Sequence, residues 1–156
     1  MAATNSTAAI SRELELVITR IFDAPRSLVW KAWSEPARMA CWAGPKGFTM
    51  TSCEMGSQAG DTFSMSMRSP DGVDHPVRSV YHEIVEAERL VYTWAWVGAD
   101  GKRGHETLIT VTSADIGEKT KLTLHQAIFE SVTARNDHQG GWSSALDCLA
   151  ECLAKA

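Results

Sequence analysis

Apolar and polar residues alternate near the start of the chain in the pattern of a β-strand. Leu14, Leu16 and Ile18 are separated from one another by single residues, within a segment of about residues 14–22. Successive side chains of a strand point to opposite faces, so these leucine and isoleucine side chains share one face. The pattern therefore predicts a first strand that buries one of its two faces.

Two helix start signals follow the predicted strand. Asp23 is placed to accept backbone hydrogen bonds as an N-cap, and Pro25 is tolerated in the first turn, where N–H groups have no partner within the helix. Ser34 and Pro36 repeat this signal, and the glycine- and proline-containing residues 43–47 end the second helical segment. The sequence predicts two short helices after the first strand.

Between about residues 48 and 126 the chain has the pattern of strands joined by turns. The strongest alternation occurs in residues 62–68 and 89–96. The large side chains on one face are Phe63, Met65 and Met67 in the first of these strands and Leu90, Tyr92, Trp94 and Trp96 in the second. A sheet with one apolar face must cover that face, so a second layer is expected.

The last segment, about residues 131–154, has helical periodicity. Its apolar stripe comprises Trp142, Leu146, Leu149 and Leu153, and its opposite face comprises Ser143, Asp147 and Glu151. A long helix with such a stripe is suited to cover the apolar face of the sheet. Gly140 and Gly141 interrupt it at a cost of about 1 kcal/mol each relative to alanine. Close backbone packing and space for a ligand are both reasons for such glycines.

Four short motifs occur in a characteristic order along the chain. They are Asp23-Ala-Pro25 with Val29-Trp30 and Ala32-Trp33, the hairpin at Asp71-Gly72, Glu88-Arg-Leu90 with Thr93-Trp94, and Gly141-Trp142 followed by Leu146 and Leu149. Together they resemble the bacterial domains similar to the heat-shock protein 90 ATPase activator, within the START-like and polyketide-cyclase-like superfamily. The resemblance implies an α+β helix-grip fold, in which a curved antiparallel sheet of six to seven strands wraps round a long C-terminal helix. An apolar cavity lies between the two layers of such domains.

Length and charge narrow the function classes. A chain of 156 residues is long enough for one domain, which we assign to residues 13–156, after a flexible tail at residues 1–12. A net charge of -4 with interspersed signs argues against nucleic acid as a partner, since phosphate contacts need clustered Lys and Arg. The first dozen residues match neither a signal peptide nor a membrane span, so no membrane contact and a cytoplasmic location are expected.

The four cysteines, Cys41, Cys53, Cys148 and Cys152, match no zinc-ligand spacing. Structural disulfides are rare in the cytoplasm. We therefore expect four buried or half-buried thiols and no metal site.

Catalytic motifs are absent from the sequence. It contains no phosphate-binding glycine loop, no His-Glu-x-x-His and no Gly-x-Ser-x-Gly, and no cofactor is expected. No acidic pair has the shielded apolar setting that separates two carboxyl pKa values into acid and base roles. The histidines occur singly; His125 is expected at a solvated position. His138 precedes Trp142 by one helical turn, and it either orients a polar ligand group or is simply hydrogen-bonded near the start of the helix.

Large aromatic and thioether side chains are predicted to face inward. We expect a ligand cavity to be lined by Trp42, Phe63, Met65, Met67, Tyr81, Tyr92, Trp94, Trp96, His138, Trp142 and Leu146. Methionine adapts to irregular apolar shapes, and Tyr and Trp combine an apolar body with a polar tip. A plain packed core is the alternative interpretation of the same residues.

Three function classes remain. We favour non-catalytic binding of a small apolar or aromatic molecule, with a homodimer compatible with the sequence. A chaperone-regulating protein is implied by the resemblance, although the chain has no room for the separate N-terminal domain of the eukaryotic activators. An enzyme of cyclase or hydrolase type would use Tyr81, His105 or His138 as acid or base.

Overall fold

The computed structural model describes residues 13–155, in which strands and helices follow one another in the predicted order. The strands are β1 (Leu16–Phe22), β2 (Thr49–Met55), β3 (Thr62–Arg68), β4 (Asp74–Val85), β5 (Arg89–Val97), β6 (Arg103–Ile116) and β7 (Lys119–Ala127); the helices are α1 (Arg26–Ser34), α2 (Pro36–Met39) and α3 (Val132–Ala154). This arrangement confirms the predicted α+β helix-grip fold. The predicted tail at residues 1–12 lies outside the described residues.

The strands form a single seven-stranded antiparallel sheet in the order β1-β7-β6-β5-β4-β3-β2. Strands β2 to β7 are consecutive neighbours, as a meander requires, whereas β1 joins the far edge by pairing with β7. Short turns connect the two strands of each hairpin. In the β3–β4 turn Gly72 has a φ of 84°, and its N–H donates to the carbonyl of Ser69 at 2.9 Å. A residue without Cβ adopts that left-handed conformation without strain.

The predicted N-cap of α1 is wrong. Pro25 occupies the cap position with φ -70° and ψ 156°, and no side chain caps the helix. Asp23 lies too far before Arg26 to occupy that position, and the carbonyl of Pro25 instead accepts the N–H groups of Leu28 and Val29 at 3.0 and 3.2 Å. The start of α3 agrees with the predicted segment of about residues 131–154. Ser131 is its N-cap, and the Ser131 side chain accepts the Ala134 N–H at 3.1 Å.

Helix α3 packs on the inner face of the sheet along the predicted stripe. Leu146 and Leu149 are completely buried in one core cluster with Leu122 and Leu124 of β7. On the opposite face Asp147 is exposed and its carboxylate pairs with Arg20 of β1, with Nη1 and Oδ1 2.6 Å apart. The helix orientation predicted from periodicity is therefore confirmed.

The cysteine prediction is wrong for one pair. Cys41, just after α2, and Cys152, in the last turn of α3, form a disulfide, while Cys53 and Cys148 are free and half-buried. The two bonded residues are 111 positions apart, and the fold brings their Cα atoms to 6.3 Å, within the range that a disulfide spans. The sequence argument rested on an expected compartment and had no access to this proximity.

Candidate functional site

A cavity of about 440 Å³ lies between the inner face of the sheet and α3. Its walls are formed by residues of β3 and β5, the start of β4, the first half of α3, and Trp33 and Met39. Five residues of the stretch 42–48, here called the wall segment, complete the wall. Small-molecule pockets in proteins have volumes of about 300–1,000 Å³. The cavity is therefore large enough for a ligand with several rings.

Most of the predicted cavity residues line this space. They are Trp42, Phe63, Met65, Met67, Tyr92, Trp94, Trp96, His138 and Trp142. They come together because alternate residues of β3 and β5 point to the same face of the sheet, and because residues one helical turn apart on α3 face that surface. The set includes aromatic rings on both sides of the cavity and two methionines on β3.

Two predicted residues lie in the core outside the cavity. Tyr81 of β4 is 5% exposed and packs its ring against those of Phe63 and Tyr92, at centroid distances of 6.0 and 6.2 Å. Leu146 is completely buried. It follows Ala145, a lining residue, and the rotation of about 100° per helical residue turns its side chain away from the cavity and into the core.

Sequence reasoning missed about half of the wall. The missed residues are Trp33, Met39, Ala43, Gly44, Pro45, Phe48, His75, Asp137, Gly141 and Ala145. A signal existed for His75, because alternation along β4 places it on the same face as Val77, Ser79 and Tyr81. The wall segment has no regular secondary structure and hence no periodicity to read. It is attached to α3 by the Cys41–Cys152 disulfide just before it and by a 2.8 Å hydrogen bond from the Lys46 N–H to Ser144 Oγ.

The indole N–H groups of the cavity tryptophans are mostly bonded to the protein itself. Trp42 donates to the Ala32 carbonyl at 2.9 Å, Trp142 to Gln126 Oε1 at 2.7 Å, Trp96 to His138 Nε2 at 3.0 Å and Trp33 to Tyr92 Oη at 3.4 Å. The Trp94 N–H is buried and has no partner among the described residues. Since these polar tips are occupied or buried, the tryptophans present mainly the carbon surfaces of their rings to the cavity.

His138 connects α3 to the end of β5. Its Nδ1 lies 2.7 Å from the Ala134 carbonyl, and its Nε2 accepts the Trp96 N–H. An indole N–H only donates, so Nε2 must be unprotonated and Nδ1 must carry the proton that the Ala134 carbonyl accepts. Both ring nitrogens are thus used within the protein. Of the two interpretations made from the sequence, the geometry favours the histidine that is simply hydrogen-bonded, although its ring does line the cavity.

The cavity wall is nearly free of charge. Asp137 is the one carboxylate among its lining residues, which include no Lys or Arg. Tyr92 is 3% exposed, and this burial raises the pKa of its phenol, as burial also does for Tyr81. The phenol of Tyr92 therefore remains protonated at neutral pH. Besides apolar surface, the wall carries the neutral hydroxyl of Tyr92, the carboxylate of Asp137 and the imidazoles of His75 and His138.

The other predicted candidates lie elsewhere. His125 Nε2 is 3.3 Å from the carboxylate of Glu15, and its side chain is 37% exposed, which agrees with the expected solvated position. His105 is exposed and contacts the Ile128 carbonyl.

Over residues 13–155 no group of three or more His, Cys, Asp or Glu side chains is arranged to hold a metal ion. In the same part of the chain, no helix has both the length and the apolar character needed to cross a bilayer.

The sheet, the covering helix and the cavity between them define a START-like helix-grip protein. The family model described as "Activator of Hsp90 ATPase homolog 1-like protein" matches residues 23–154. The chain belongs to this family. The resemblance noted in the sequence is thereby confirmed over nearly the whole described chain.

Solved structures from several bacteria are similar to this chain. A Chromobacterium violaceum protein is 24% identical with a TM-score of 0.82, over 90% of this chain and 96% of that one. A protein of the same family from Silicibacter pomeroyi is 22% identical with a TM-score of 0.83, over 90% and 97%. An Arthrobacter aurescens protein is 22% identical with a TM-score of 0.83, over 94% and 89%. At these identities the likeness shows the fold. No curated protein matches the chain significantly.

Proposed function

We propose that the protein binds a small, apolar, ring-bearing molecule in the cavity between the sheet and α3, without transforming it. The observation that carries this proposal is the arrangement of the cavity tryptophans, whose ring surfaces face the cavity while their N–H groups are bonded to or buried in the protein. Aromatic surface of this kind favours apolar and aromatic ligands, and the methionines on β3 adapt to irregular shapes. The START-like fold supports the same conclusion, because such domains enclose a cavity.

Binding without turnover is supported by the positions of the three acids and bases that the sequence suggested for an enzyme, Tyr81, His105 and His138. Tyr81 and His105 do not belong to the cavity wall, and both ring nitrogens of His138 are hydrogen-bonded within the protein. A general acid or base must be within hydrogen-bond reach of the reacting group. Regulation of a chaperone ATPase is supported by the family description alone, and no contact within the described residues adds to it.

Replacing Met65 by Trp tests the binding proposal directly. Met65 is 6% exposed and lines the cavity from the middle of β3, so the larger ring would occupy space that a ligand uses. We expect little change in melting temperature. Affinity for the neutral fluorescent probe N-phenyl-1-naphthylamine should fall at least severalfold.

The matched control is Leu124→Trp, on a fully buried strand residue that does not line the cavity. Overpacking there should destabilise by about 1–3 kcal/mol. If Met65→Trp is as destabilising as this control and leaves probe affinity unchanged, then the space behaves as packed core and the binding proposal fails.

The paired glycines of α3 provide a second test. Gly141 lines the cavity, and a Cβ added there would lie 3.7 Å from Pro45 Cγ of the wall segment, which is ordinary contact; a Cβ on Gly140 would meet nothing within 4 Å. Each alanine substitution should stabilise the helix by about 1 kcal/mol. Gly141→Ala alone should also weaken binding of N-phenyl-1-naphthylamine, because its methyl group narrows the cavity. Titration of the probe and thermal melts of both variants check this, and equal probe affinities would contradict it.

A further inference from the structure

Two cavity-lining residues have a hydrogen-bond donor without a partner among the described residues, the indole N–H of Trp94 and the hydroxyl of Tyr92. Of the two groups, the hydroxyl also accepts a hydrogen bond. Tyr92 Oη accepts the Trp33 N–H at 3.4 Å, and both residues line the cavity. The hydroxyl proton of Tyr92 has no acceptor among the described residues, although the side chain is only 3% exposed. A buried donor without a partner is unfavourable and is usually matched by a protein group, a water molecule or a ligand.

The chemical state of this hydroxyl limits what it can bind. Burial raises the phenol pKa, so the group is a neutral donor and not a phenolate. Accepting the Trp33 N–H polarises the hydroxyl and strengthens its own donation. A carbonyl or ether oxygen of a ligand is therefore the complementary group.

The charge of the wall limits the ligand further. With no Lys or Arg among the lining residues and Asp137 as the one carboxylate, the wall supplies no permanent positive charge to offset the desolvation of an anion. A carboxylate-bearing ligand of the same size should therefore bind less tightly than its neutral analogue. This argues against fatty acids and related anions.

We propose that Tyr92 is the polar anchor of the cavity and that the ligand is an uncharged, ring-bearing molecule whose ketone, amide or ether oxygen accepts the Tyr92 hydroxyl proton. The inference rests on the proposed binding function and adds the chemical class of the ligand. It separates this class from plain hydrocarbons, which lack the acceptor, and from organic anions, which carry an uncompensated charge.

Three naphthalene probes of similar shape test the proposal: 2-acetylnaphthalene, 2-isopropylnaphthalene and 2-naphthoate. Dissociation constants are measured for the wild type, for Tyr92→Phe and for the control Tyr81→Phe, which removes a buried hydroxyl outside the cavity wall. We expect Tyr92→Phe to weaken the ketone by about tenfold, the order of one buried hydrogen bond. The hydrocarbon should change less than about twofold, Tyr81→Phe should change neither, and naphthoate should bind the wild type more weakly than the ketone.

Equal losses for the ketone and the hydrocarbon would overturn the anchor while leaving apolar binding intact. Absence of binding by all three probes would instead overturn the proposed function. Because Tyr92→Phe leaves the Trp33 N–H without its acceptor, the infrared carbonyl band of the ketone bound to the wild type is a second measurement. A shift to lower wavenumber relative to the ketone in alkane that is lost in Tyr92→Phe supports the hydrogen bond to Tyr92. An unshifted band, or a shift that persists in Tyr92→Phe and so comes from another donor such as the Trp94 N–H, overturns it.

Discussion

Leu149→Ala should lower the free energy of unfolding by about 2–5 kcal/mol. Leu149 is completely buried in α3 and belongs to the core cluster that joins the helix to the sheet. Truncation removes the buried methyl groups and leaves a void between two layers that are both fixed by other contacts. Urea denaturation followed by circular dichroism measures the loss.

The matched control is Asp147→Ala, two residues earlier on the opposite face of the same helix. Its carboxylate is 69% exposed, and its ion pair with Arg20 lies in solvent, where such pairs contribute less than about 1 kcal/mol. We expect Asp147→Ala to be close to neutral. Comparable losses in the two variants would mean that the helix does not cover the sheet through this stripe.

The order of elements was predictable because each depends on local spacing. The alternation of Phe63, Met65 and Met67 predicts both the existence of β3 and the face that it buries, and the stripe through Leu146 and Leu149 does the same for α3. The pairing of β1 with β7 is different, because it joins segments about 100 residues apart. The resemblance implied a curved antiparallel sheet, but the sequence analysis did not predict which strands pair at this edge.

The cavity was harder to predict than the fold. Whether a residue lines it depends on whether its inward-facing side chain borders empty space or another side chain, and not only on which face of the sheet or helix the residue occupies. Tyr81 and Leu146 face inward as expected, yet they lie in closely packed core outside the cavity. Nothing in a periodic pattern distinguishes an inward residue beside a cavity from one beside another side chain. The wall segment was missed for a further reason, since an irregular segment is placed by tertiary contacts such as the Lys46–Ser144 hydrogen bond.

Loss of the Cys41–Cys152 disulfide should lower the free energy of unfolding by about 2–4 kcal/mol. The bond closes a loop across a sequence separation of 111, so it restricts the unfolded chain strongly, and it connects the residues before the wall segment to the end of α3. Cys152→Ser and treatment of the wild type with a dithiol reductant should have similar effects. Denaturation with and without reductant measures them, with maleimide labelling counted by mass spectrometry.

Cys148→Ser is the control for this experiment, because Cys148 is a half-buried free thiol one turn before Cys152 on the same helix. Its effect on stability should be smaller, and reductant should still destabilise that variant. In the Cys152→Ser variant reductant should have no further effect.

For the wild type we expect two of the four cysteines to be labelled after unfolding without reductant, and all four after reduction. Four labelled thiols without reductant, together with unchanged stability on reduction, would contradict the disulfide. Such a result would instead favour four free thiols, as expected from the sequence for a protein of a reducing compartment.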